Sequence, residues 1–412
     1  MLFLAAFTAL ALLFVSASAS ILQLKQSPVT LSLARRLNLT SAHNLVRHDQ
    51  ARAKYLGNRS SNLNLHSRDA STANRSEAVD NQAVTYIADI SVGIPPIMYS
   101  LIVDTGSSNT WVGANTKYSS TSGVVTGNVV DVQYGSGEFA GIEVVDTVSI
   151  TPSLVIAHQS IGVAKEAEGF DGIDGIIGIG PAGLTKGTLL PAHDDQIPTI
   201  TDNLYTDKVI ADNSIGIFFH PTNVAEDLNG QITWGGVDNS KYTGDITYIP
   251  ITKSSPASDY WGIDQSITYG SDTPILSSSA GIVDTGTTLI MLTTDAFNKY
   301  KNATGAVDDQ ATGLLSITPT QYANLSSLFF ISGGTTFELV PNAQIFPRTL
   351  NTVIGGTTST IYLMIADLGS IEVAGLAFIN GYAFLERFYS VYDTTNKRVG
   401  LATTPFTNAT TN

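Results

Sequence analysis

The chain has 412 residues, of which 43% are hydrophobic and only 14% are charged. This length suits about two to three domains, and the apolar content is sufficient for a large core. The chain contains no cysteine, which excludes a disulfide framework, a thiolate metal site and a cysteine nucleophile. The small charged fraction predicts a surface of uncharged polar residues.

The net charge of −14 is unevenly distributed along the chain. Residues 21–75 carry nine Lys/Arg and two acidic residues, a net charge of +7. The rest of the chain carries twelve basic and 33 acidic residues, a net charge of −21. An acidic body argues against nucleic acid and anionic membranes as partners. The natural partner of the basic segment is therefore the acidic remainder of the same chain.

The N-terminal residues 1–19 are uncharged, mostly apolar and end in Ala17-Ser18-Ala19. Small residues at this spacing are typical of a signal-peptide cleavage site, so we expect a secreted, extracellular protein. The alternative is a membrane anchor, but the apolar stretch is barely long enough to span a bilayer. We expect no stable membrane association.

The next segment, residues 20–78, is basic, polar and poor in aromatic residues. Because such a composition does not form a core by itself, we interpret it as a prosegment, an activation peptide. Its pattern predicts helix within residues 27–56 and a linker over residues 60–77.

After this segment, short runs rich in Val, Ile, Thr and Tyr alternate with Gly, Asn and Asp turns. This pattern predicts an all-β body. Two short helices are expected within it. One begins at Thr318-Pro319, a capping residue followed by Pro at the first helical position, and the other follows Thr294.

A long-range repeat divides this body into two parts. LIVDTGSSNT at 101–110 recurs as GIVDTGTTLI at 281–290. An apolar-x-Gly segment follows later in each half, with the letters IIG and then ING. The repeat predicts an N-terminal lobe over residues 79–212 and a C-terminal lobe over residues 213–412, each with one Asp-Thr-Gly.

A single Asp-Thr-Gly after a strand is a common turn, whereas two copies on matching strands point to one shared site. If the lobes are related by approximate two-fold symmetry, the carboxyl groups of Asp104 and Asp284 lie close together. They do not both ionise at short range, so one is protonated while the other is charged. The charged group can activate a water and the protonated group can polarise a peptide carbonyl. The pair titrates as a unit, which leaves the individual roles open.

The residues after each Asp support this arrangement. Glycine permits the tight turn and the close backbone approach, and the threonine hydroxyls can bond to the backbone. The next hydroxyls can bond to the outer carboxylate oxygens. The supporting residues are Thr105, Gly106 and Ser107 in the first copy, and Thr285, Gly286 and Thr287 in the second.

Further segments follow in the order QYGSGEFAG, FDGIDGIIGIGP, YWGIDQSI and FINGYAFLERFYSVYDTTNKRVGLA. With the repeat, they make the chain resemble the pepsin-type (A1) aspartic proteases over residues 80–402, in particular basidiomycete members. The resemblance implies an all-β, bilobal fold with a deep interlobe cleft and a β-hairpin flap. It implies a monomeric endopeptidase, made as a zymogen inhibited by its own prosegment. The enzyme would cleave proteins and peptides at acid pH, beside apolar residues, without metal or cofactor.

Carried over by position, the resemblance makes Asp104 and Asp284 the catalytic residues. Tyr134 matches the flap tyrosine, followed by Gly135, Ser136 and Gly137 at the hairpin tip. Trp111 matches the indole behind that tyrosine. The alternatives are ordinary sheet packing for Tyr134 and core packing for Trp111. Phe170 and Ile176 would line an apolar pocket.

Two other positions bear on this resemblance. Lys54-Tyr55 resembles the pro-peptide lysine that pairs with the catalytic carboxylates, the alternative being that Lys54 is one of many solvated basic residues. Asn380 departs from the pattern, because family members usually carry two apolar residues before the second-lobe Gly.

Asn302, Asn324 and Asn408 lie in N-x-Ser/Thr sequons and are candidate glycosylation sites, the alternative being unused sequons. The rival to the enzyme is a protease-fold binding protein without catalytic activity. Such homologues usually lose an Asp, a Gly or the flap Tyr, and this chain retains all of them.

Overall fold

The computed structural model describes residues 27–37, 43–65, 84–369 and 375–412. The predicted signal peptide at 1–19 lies outside these ranges, as does the predicted linker beyond residue 65. Within the described ranges, no helix has both the length and the apolar character needed to cross a membrane.

The elements follow one another in three groups. The basic segment, defined here as residues 27–65, contains β1 (Val29–Leu37) and α1 (His43–Leu65). The first half of the body contains β2 (Val84–Val92), β3 (Ile97–Asp104), β4 (Trp111–Val112), β5 (Val124–Gln133), β6 (Glu138–Thr151), β7 (Leu154–Glu168), β8 (Gly175–Gly178), β9 (Leu189–Leu190) and α2 (Ile200–Thr206).

The second half begins with β10 (Ser214–Phe219), β11 (Glu226–Trp234), β12 (Thr243–Pro250), β13 (Gly262–Tyr269), β14 (Thr273–Val283), β15 (Ile290–Leu292), α3 (Thr294–Thr304), β16 (Val307–Asp308) and β17 (Leu315–Ile317). It ends with α4 (Pro319–Tyr322), β18 (Leu328–Ser332), β19 (Thr335–Leu339), β20 (Ile361–Tyr362), β21 (Ile365–Asp367), β22 (Phe378–Asn380), α5 (Tyr382–Leu385), β23 (Phe388–Asp393) and β24 (Arg398–Thr403). Short 3-10 turns lie at Ala182–Thr185, Ala257–Asp259, Pro341–Gln344 and Arg348–Leu350.

These strands form three sheets, which confirms the all-β prediction. A 14-stranded sheet has the order β12-β24-β23-β10-β11-β1-β2-β3-β8-β4-β7-β6-β5-β9, and it contains strands of both predicted lobes. A 7-stranded sheet has the order β19-β18-β13-β14-β22-β15-β21, and β16, β17 and β20 form a third. The predicted lobe boundary at 212/213 falls between α2 and β10.

Both predicted helices of the body are confirmed. Thr318 caps α4 by accepting a hydrogen bond from the backbone of Gln321, and Pro319 occupies the first turn, as the sequence pattern indicates. The helix after Thr294 is α3, which ends at Gly305 in the left-handed conformation, with φ 67°.

The prediction of helix within residues 27–56 is confirmed for α1 and wrong for Val29–Leu37, which forms β1. This strand pairs antiparallel with β11 on one side and with β2 on the other. Its buried side chains alternate, at Leu33, Arg35 and Leu37, which is the periodicity of a strand. The helix α1 also extends to Leu65, into part of the predicted linker.

A buried ion pair connects β1 to the second half of the chain. Arg35 and Glu386 have almost no exposed surface, and Arg35 Nε lies 3.5 Å from Glu386 Oε1. Tyr86 donates its hydroxyl to the same oxygen at 3.0 Å, and Arg35 donates to the carbonyl of Val224 at 2.8 Å. Burial raises the pKa of Glu386 despite the opposing effect of Arg35. The strand is therefore held by charge as well as by its ladder hydrogen bonds.

We predict that Arg35→Met lowers the free energy of unfolding of the full chain by about 3–5 kcal/mol near neutral pH, because Glu386 then remains buried without its partner. Urea unfolding measures the change. The double variant Arg35→Met/Glu386→Gln should recover most of the loss, since the amide carries no charge. If the double variant were no more stable than the single one, the uncompensated charge would not be the cause.

Candidate active site

The two Asp-Thr-Gly turns lie at the ends of matching strands. Asp104 is the last residue of β3 and pairs with Gly178 of the parallel strand β8. Asp284 directly follows β14, whose last residue Val283 pairs with Asn380 of the parallel strand β22. Both carboxyl groups are buried, with 1% and 0% of the residue surface exposed. Each half of the repeat thus delivers one carboxyl group from a core strand.

Reciprocal hydrogen bonds join the two turns. The backbone N–H of Thr105 donates to the hydroxyl of Thr285 at 3.0 Å, and the N–H of Thr285 donates to the hydroxyl of Thr105 at 2.9 Å. The same hydroxyls donate onward to the carbonyls of Val283 at 3.3 Å and Val103 at 2.8 Å. All of these groups are buried, so the two turns form one hydrogen-bonded unit.

The oxygens of each carboxyl group accept hydrogen bonds from their own turn. Gly106 N–H and Ser107 hydroxyl donate to Asp104 at 2.9 and 2.5 Å. In the second turn, Gly286 N–H and Thr287 hydroxyl donate to Asp284 at 3.0 and 2.5 Å.

The glycines of the two turns are required by close approach. A Cβ atom at Gly106 would lie 2.6 Å from Asp284 Oδ1, and one at Gly286 would lie 2.7 Å from Asp104 Oδ1. The turns and carboxyl groups predicted from the repeat are therefore brought together in one site.

The cation at these carboxyl groups is Arg52 of α1. Its guanidinium donates to Asp104 Oδ1 at 2.6 Å and to the two oxygens of Asp284 at 2.7 and 2.9 Å. The prediction that Lys54 pairs with the carboxyl groups is wrong, because Lys54 is exposed. Arg52 follows the buried Leu45 by seven residues and precedes the buried Leu56 by four. These spacings place it on the same helix face as the two leucines, whereas Lys54 lies on another face. Helical periodicity could have identified Arg52.

Burial and charge set the protonation of this cluster. Although burial favours the neutral form of Arg52, the charges of Asp104 and Asp284 raise its pKa, so it remains a cation. Burial, assisted by the charge of Asp284, raises the pKa of Asp104 despite the opposing charge of Arg52. For Asp284, burial is outweighed by the charge and hydrogen bonds of Arg52, which lower the pKa. Asp104 is therefore the first of the two to take up a proton as the pH falls.

A second charged residue of α1 binds the second turn. Asp49 is fully buried and accepts hydrogen bonds from the backbone N–H groups of Thr288, at 3.1 Å, and Leu289, at 2.7 Å. The His48 ring nitrogen lies 3.1 Å from its other oxygen. Asp49 precedes Arg52 by one helical turn, so both project from one face. This contact was not predicted from the sequence. The signal that could have indicated it is an acidic residue, Asp49, three positions before Arg52 on the same helix face.

Other residues attach α1 to both halves of the body. Arg59 donates to the carbonyls of Leu184 and Lys186 in the first half. Gln50 donates to the carbonyl of Asp367 in the second half at 3.1 Å. Tyr55, singled out from the sequence with Lys54, is half-buried and packs against the main core. The helix thus contacts both halves around the two carboxyl groups.

The predicted flap is the β5–β6 hairpin. Tyr134 N–H donates to the carbonyl of Gly137 at 2.8 Å, which closes the turn. Ser136 is buried, and Gly135 has φ 83°. A Cβ atom at Gly135 would lie 2.5 Å from the carbonyl oxygen of Ala51. The backbone of α1 therefore lies directly against the hairpin tip.

Aromatic side chains pack against the turn end of this hairpin. The ring of Trp111 lies 6.5 Å from that of Tyr134 and 4.8 Å from that of Phe170, between ring centres. Phe139 stacks on Trp111 at 4.2 Å, and Ile176 belongs to the same buried cluster. The predicted pocket residues Phe170 and Ile176 are thus in one apolar group with the predicted flap tyrosine.

The three candidate glycosylation residues are exposed. Asn302 lies within α3, Asn324 follows α4, and Asn408 lies near the C-terminus. Their modification stays a prediction.

Comparisons with known proteins agree with this geometry. The family model "Eukaryotic aspartyl protease" matches residues 85–404, and the chain belongs to this family. It is an aspartic endopeptidase with the bilobal pepsin-like fold. The resemblance and the fold expected from the sequence are confirmed.

Individual relatives make the assignment more specific. The chain is 60% identical to polyporopepsin of Irpex lacteus over 333 residues, 81% of this chain and 98% of that protein. It is 30% identical to vacuolar protease A of Aspergillus fumigatus over 410 residues, 94% of this chain and 96% of the other. The crystal structure of an aspartic proteinase from Irpex lacteus matches with a TM-score of 0.78 and 60% identity, covering 80% of this chain and 96% of that one.

We predict that Thr285→Val lowers the free energy of unfolding by about 2 kcal/mol, because it leaves the buried N–H of Thr105 without an acceptor. Thr285→Ser keeps the hydroxyl and should restore most of the loss. Denaturant unfolding of both variants measures the difference. Equal losses in the two variants would show that the lost hydroxyl hydrogen bond is not the cause.

Proposed function

We propose that the chain is a secreted zymogen in which Asp104 and Asp284 form the catalytic dyad and the prosegment, residues 20–78, blocks it. The observation that carries this proposal is the contact of Arg52 with both carboxyl groups at 2.6–2.9 Å. A guanidinium in this position excludes both the reacting water and the peptide. The apolar leader at residues 1–19 supports secretion.

Once Arg52 is withdrawn, the two buried carboxyl groups share one proton. The charged group takes a proton from a water held between them, and the protonated group donates to the carbonyl of the scissile peptide. The water attacks the carbonyl carbon to give a tetrahedral diol. The diol collapses as the leaving nitrogen is protonated. The hydroxyls of Ser107 and Thr287 hold the outer carboxyl oxygens throughout.

The apolar surroundings support a preference for apolar side chains beside the scissile bond. One buried cluster at the turn end of the hairpin contains Trp111, Tyr134, Phe170 and Ile176. Tyr134 carries the hairpin tip, which α1 contacts in this structure. When α1 leaves, the same tip can close over a substrate. A monomer with one such site is sufficient for this reaction.

Acid releases the prosegment through the carboxyl groups, because Arg52 remains charged at any relevant pH. The raised pKa of Asp104 means that it is protonated first as the pH falls, which removes one ion pair. The lowered pKa of Asp284 maintains the second pair to more acid pH. Because Arg52 lowers the pKa of both carboxyl groups in the complex, the released pair takes up protons more readily than the bound pair does. The binding of the prosegment therefore weakens as the pH falls, first as Asp104 and then as Asp284 takes up a proton.

We predict that Asp104→Asn and Asp284→Asn each lower kcat by about 100- to 10,000-fold, because each removes one half of the acid–base pair. Cleavage of a denatured protein at acid pH, with the concentration of folded enzyme equalised, measures the effect. A statine-type transition-state mimic should inhibit the parent enzyme. Undiminished cleavage by either variant would contradict the assignment of the dyad.

A second prediction concerns latency. Arg52→Met should weaken the attachment of α1, because the two buried carboxyl groups lose their compensating cation. The full-length variant should therefore cleave a short peptide at a higher pH than the parent does, before any of its own bonds is cut. Lys54→Met is the matched control: it removes one positive charge two residues away, on the exposed side of α1, and should leave latency unchanged.

Gel electrophoresis of the same samples shows whether the chain is intact during this assay. Equal latency in the parent and Arg52→Met would reject the block by Arg52. Equal activation rates of the parent at neutral and acid pH would reject the acid release.

A further inference from the structure

A buried pair of amides lies next to the second Asp-Thr-Gly turn. Asn380 Nδ2 donates to Gln265 Oε1 at 3.0 Å, and Gln265 Nε2 lies 3.5 Å from Asn380 Oδ1. The exposed fractions of the two residues are 0% and 1%. The backbone carbonyl of Asn380 also accepts the N–H of Asp284 at 3.1 Å. One residue therefore bonds to Asp284 with its backbone and to Gln265 with its side chain.

The two amides belong to strands on opposite sides of β14, the strand that delivers Asp284. Gln265 of β13 pairs with Ser279, and Asn380 of β22 pairs with Val283. Paired residues project to the same face, and alternate residues of a strand share a face. The residue of β14 between them on this face is Gly281, which has no side chain. The amide pair thus bridges β13 and β22 across β14.

The first lobe provides an internal comparison, because the repeat relates the two halves by an offset of 180 residues. In the first half, Ile90 occupies the position that corresponds to Gln265, because it pairs with the residue 180 positions before Ser279. Ile177 corresponds to Asn380 in the same way, through the residue 180 positions before Val283. Leu101 takes the place of Gly281. All three first-half residues are apolar and fully buried. At the same points around Asp104, this chain uses hydrocarbon packing alone.

Burying two amides requires that their hydrogen bonds be made, since an unpaired amide in a core is strongly unfavourable. Isoleucine and leucine fill the matching positions without this constraint. The polar bridge is therefore not needed to fill the core. What it adds is a directional connection between the two strands that flank Asp284.

We propose that Asn380 and Gln265 are positioning residues for Asp284. By joining β22 to β13, the amide pair fixes the Asn380 carbonyl, which in turn fixes the backbone N–H of Asp284 relative to Asp104. When two carboxyl groups share a proton and a water, the rate of catalysis depends on the distance between them. A displacement of about 1 Å can lower the rate about 100-fold. This inference rests on the proposed catalytic role of Asp284.

The test uses Asn380→Leu, Gln265→Met and the double variant, as active enzyme whose sites are titrated with a statine-type mimic. Each single variant should lower kcat about tenfold per active site, with KM within about twofold of the parent. It should also shift the acid limb of the pH profile of kcat/KM, because the proton is shared between displaced carboxyl groups.

The double variant separates positioning from stability. It leaves no buried amide unpaired, so its thermal midpoint should return towards that of the parent. Because the bridge is still absent, kcat should remain low. This variant also keeps the test decisive if a single variant fails to fold.

A matched control is Gln344→Met, which removes another fully buried amide of the second half. Gln344 donates to the carbonyls of Ser326 and Leu339 and accepts from Tyr300, all of them outside the two Asp-Thr-Gly turns. It should lower the thermal midpoint without changing kcat per active site.

Unchanged kcat in the single variants would overturn the proposal, and so would a kcat that recovers with the midpoint in the double variant. The variant Asp284→Asn distinguishes this failure from a failure of the dyad. If Asp284→Asn remains active, the proposed dyad is wrong. If it is inactive while Asn380→Leu keeps the parent kcat, only the positioning role is wrong.

Discussion

Two carboxyl groups buried at one site are the constraint on which the rest of the structure depends. Removing like charges from water is strongly unfavourable unless a proton or a cation compensates them. In this structure the cation is Arg52, which contacts both groups. The threonine hydrogen bonds between the turns, the glycines at the points of closest approach and the helix α1 all serve to hold this compensated pair.

The same constraint explains why the basic segment belongs to the fold rather than lying loosely on its surface. Its strand β1 is hydrogen-bonded on both sides, to β11 and β2, and its helix places Arg52 and Asp49 against the two turns. Arg35 adds a buried ion pair with Glu386. In the proposed zymogen, the contacts made by Arg52, Asp49 and Arg35 each involve a carboxyl group that acid can neutralise, whereas the backbone ladder of β1 does not. Acid would therefore weaken the charged contacts of the segment first.

Much of this arrangement can be predicted from the sequence, because the repeat around Asp104 and Asp284 marks the site and the alternating pattern marks an all-β body. Local sequence does not predict β1, since strand formation depends on partners that lie far along the chain: Ala34 pairs with Ile87 of β2, and Val29 pairs with Trp234 of β11. The resemblance points to Lys54 as the paired cation, but matching a motif takes no account of helical phase, which places Arg52 rather than Lys54 on the buried face of α1. Asn380 was visible as a departure, but its partner Gln265 is 115 residues distant, beyond the reach of local patterns.

In the proposed zymogen, Arg52 of the chain's own N-terminal segment occupies the two carboxyl groups until acid displaces it. Calorimetric binding of a statine-type transition-state mimic to the intact full-length chain, measured as a function of pH, tests this most directly. We predict no binding near neutral pH and binding that appears on acidification, before any peptide bond of the chain is cut. Tight binding to the intact chain near neutral pH would contradict it.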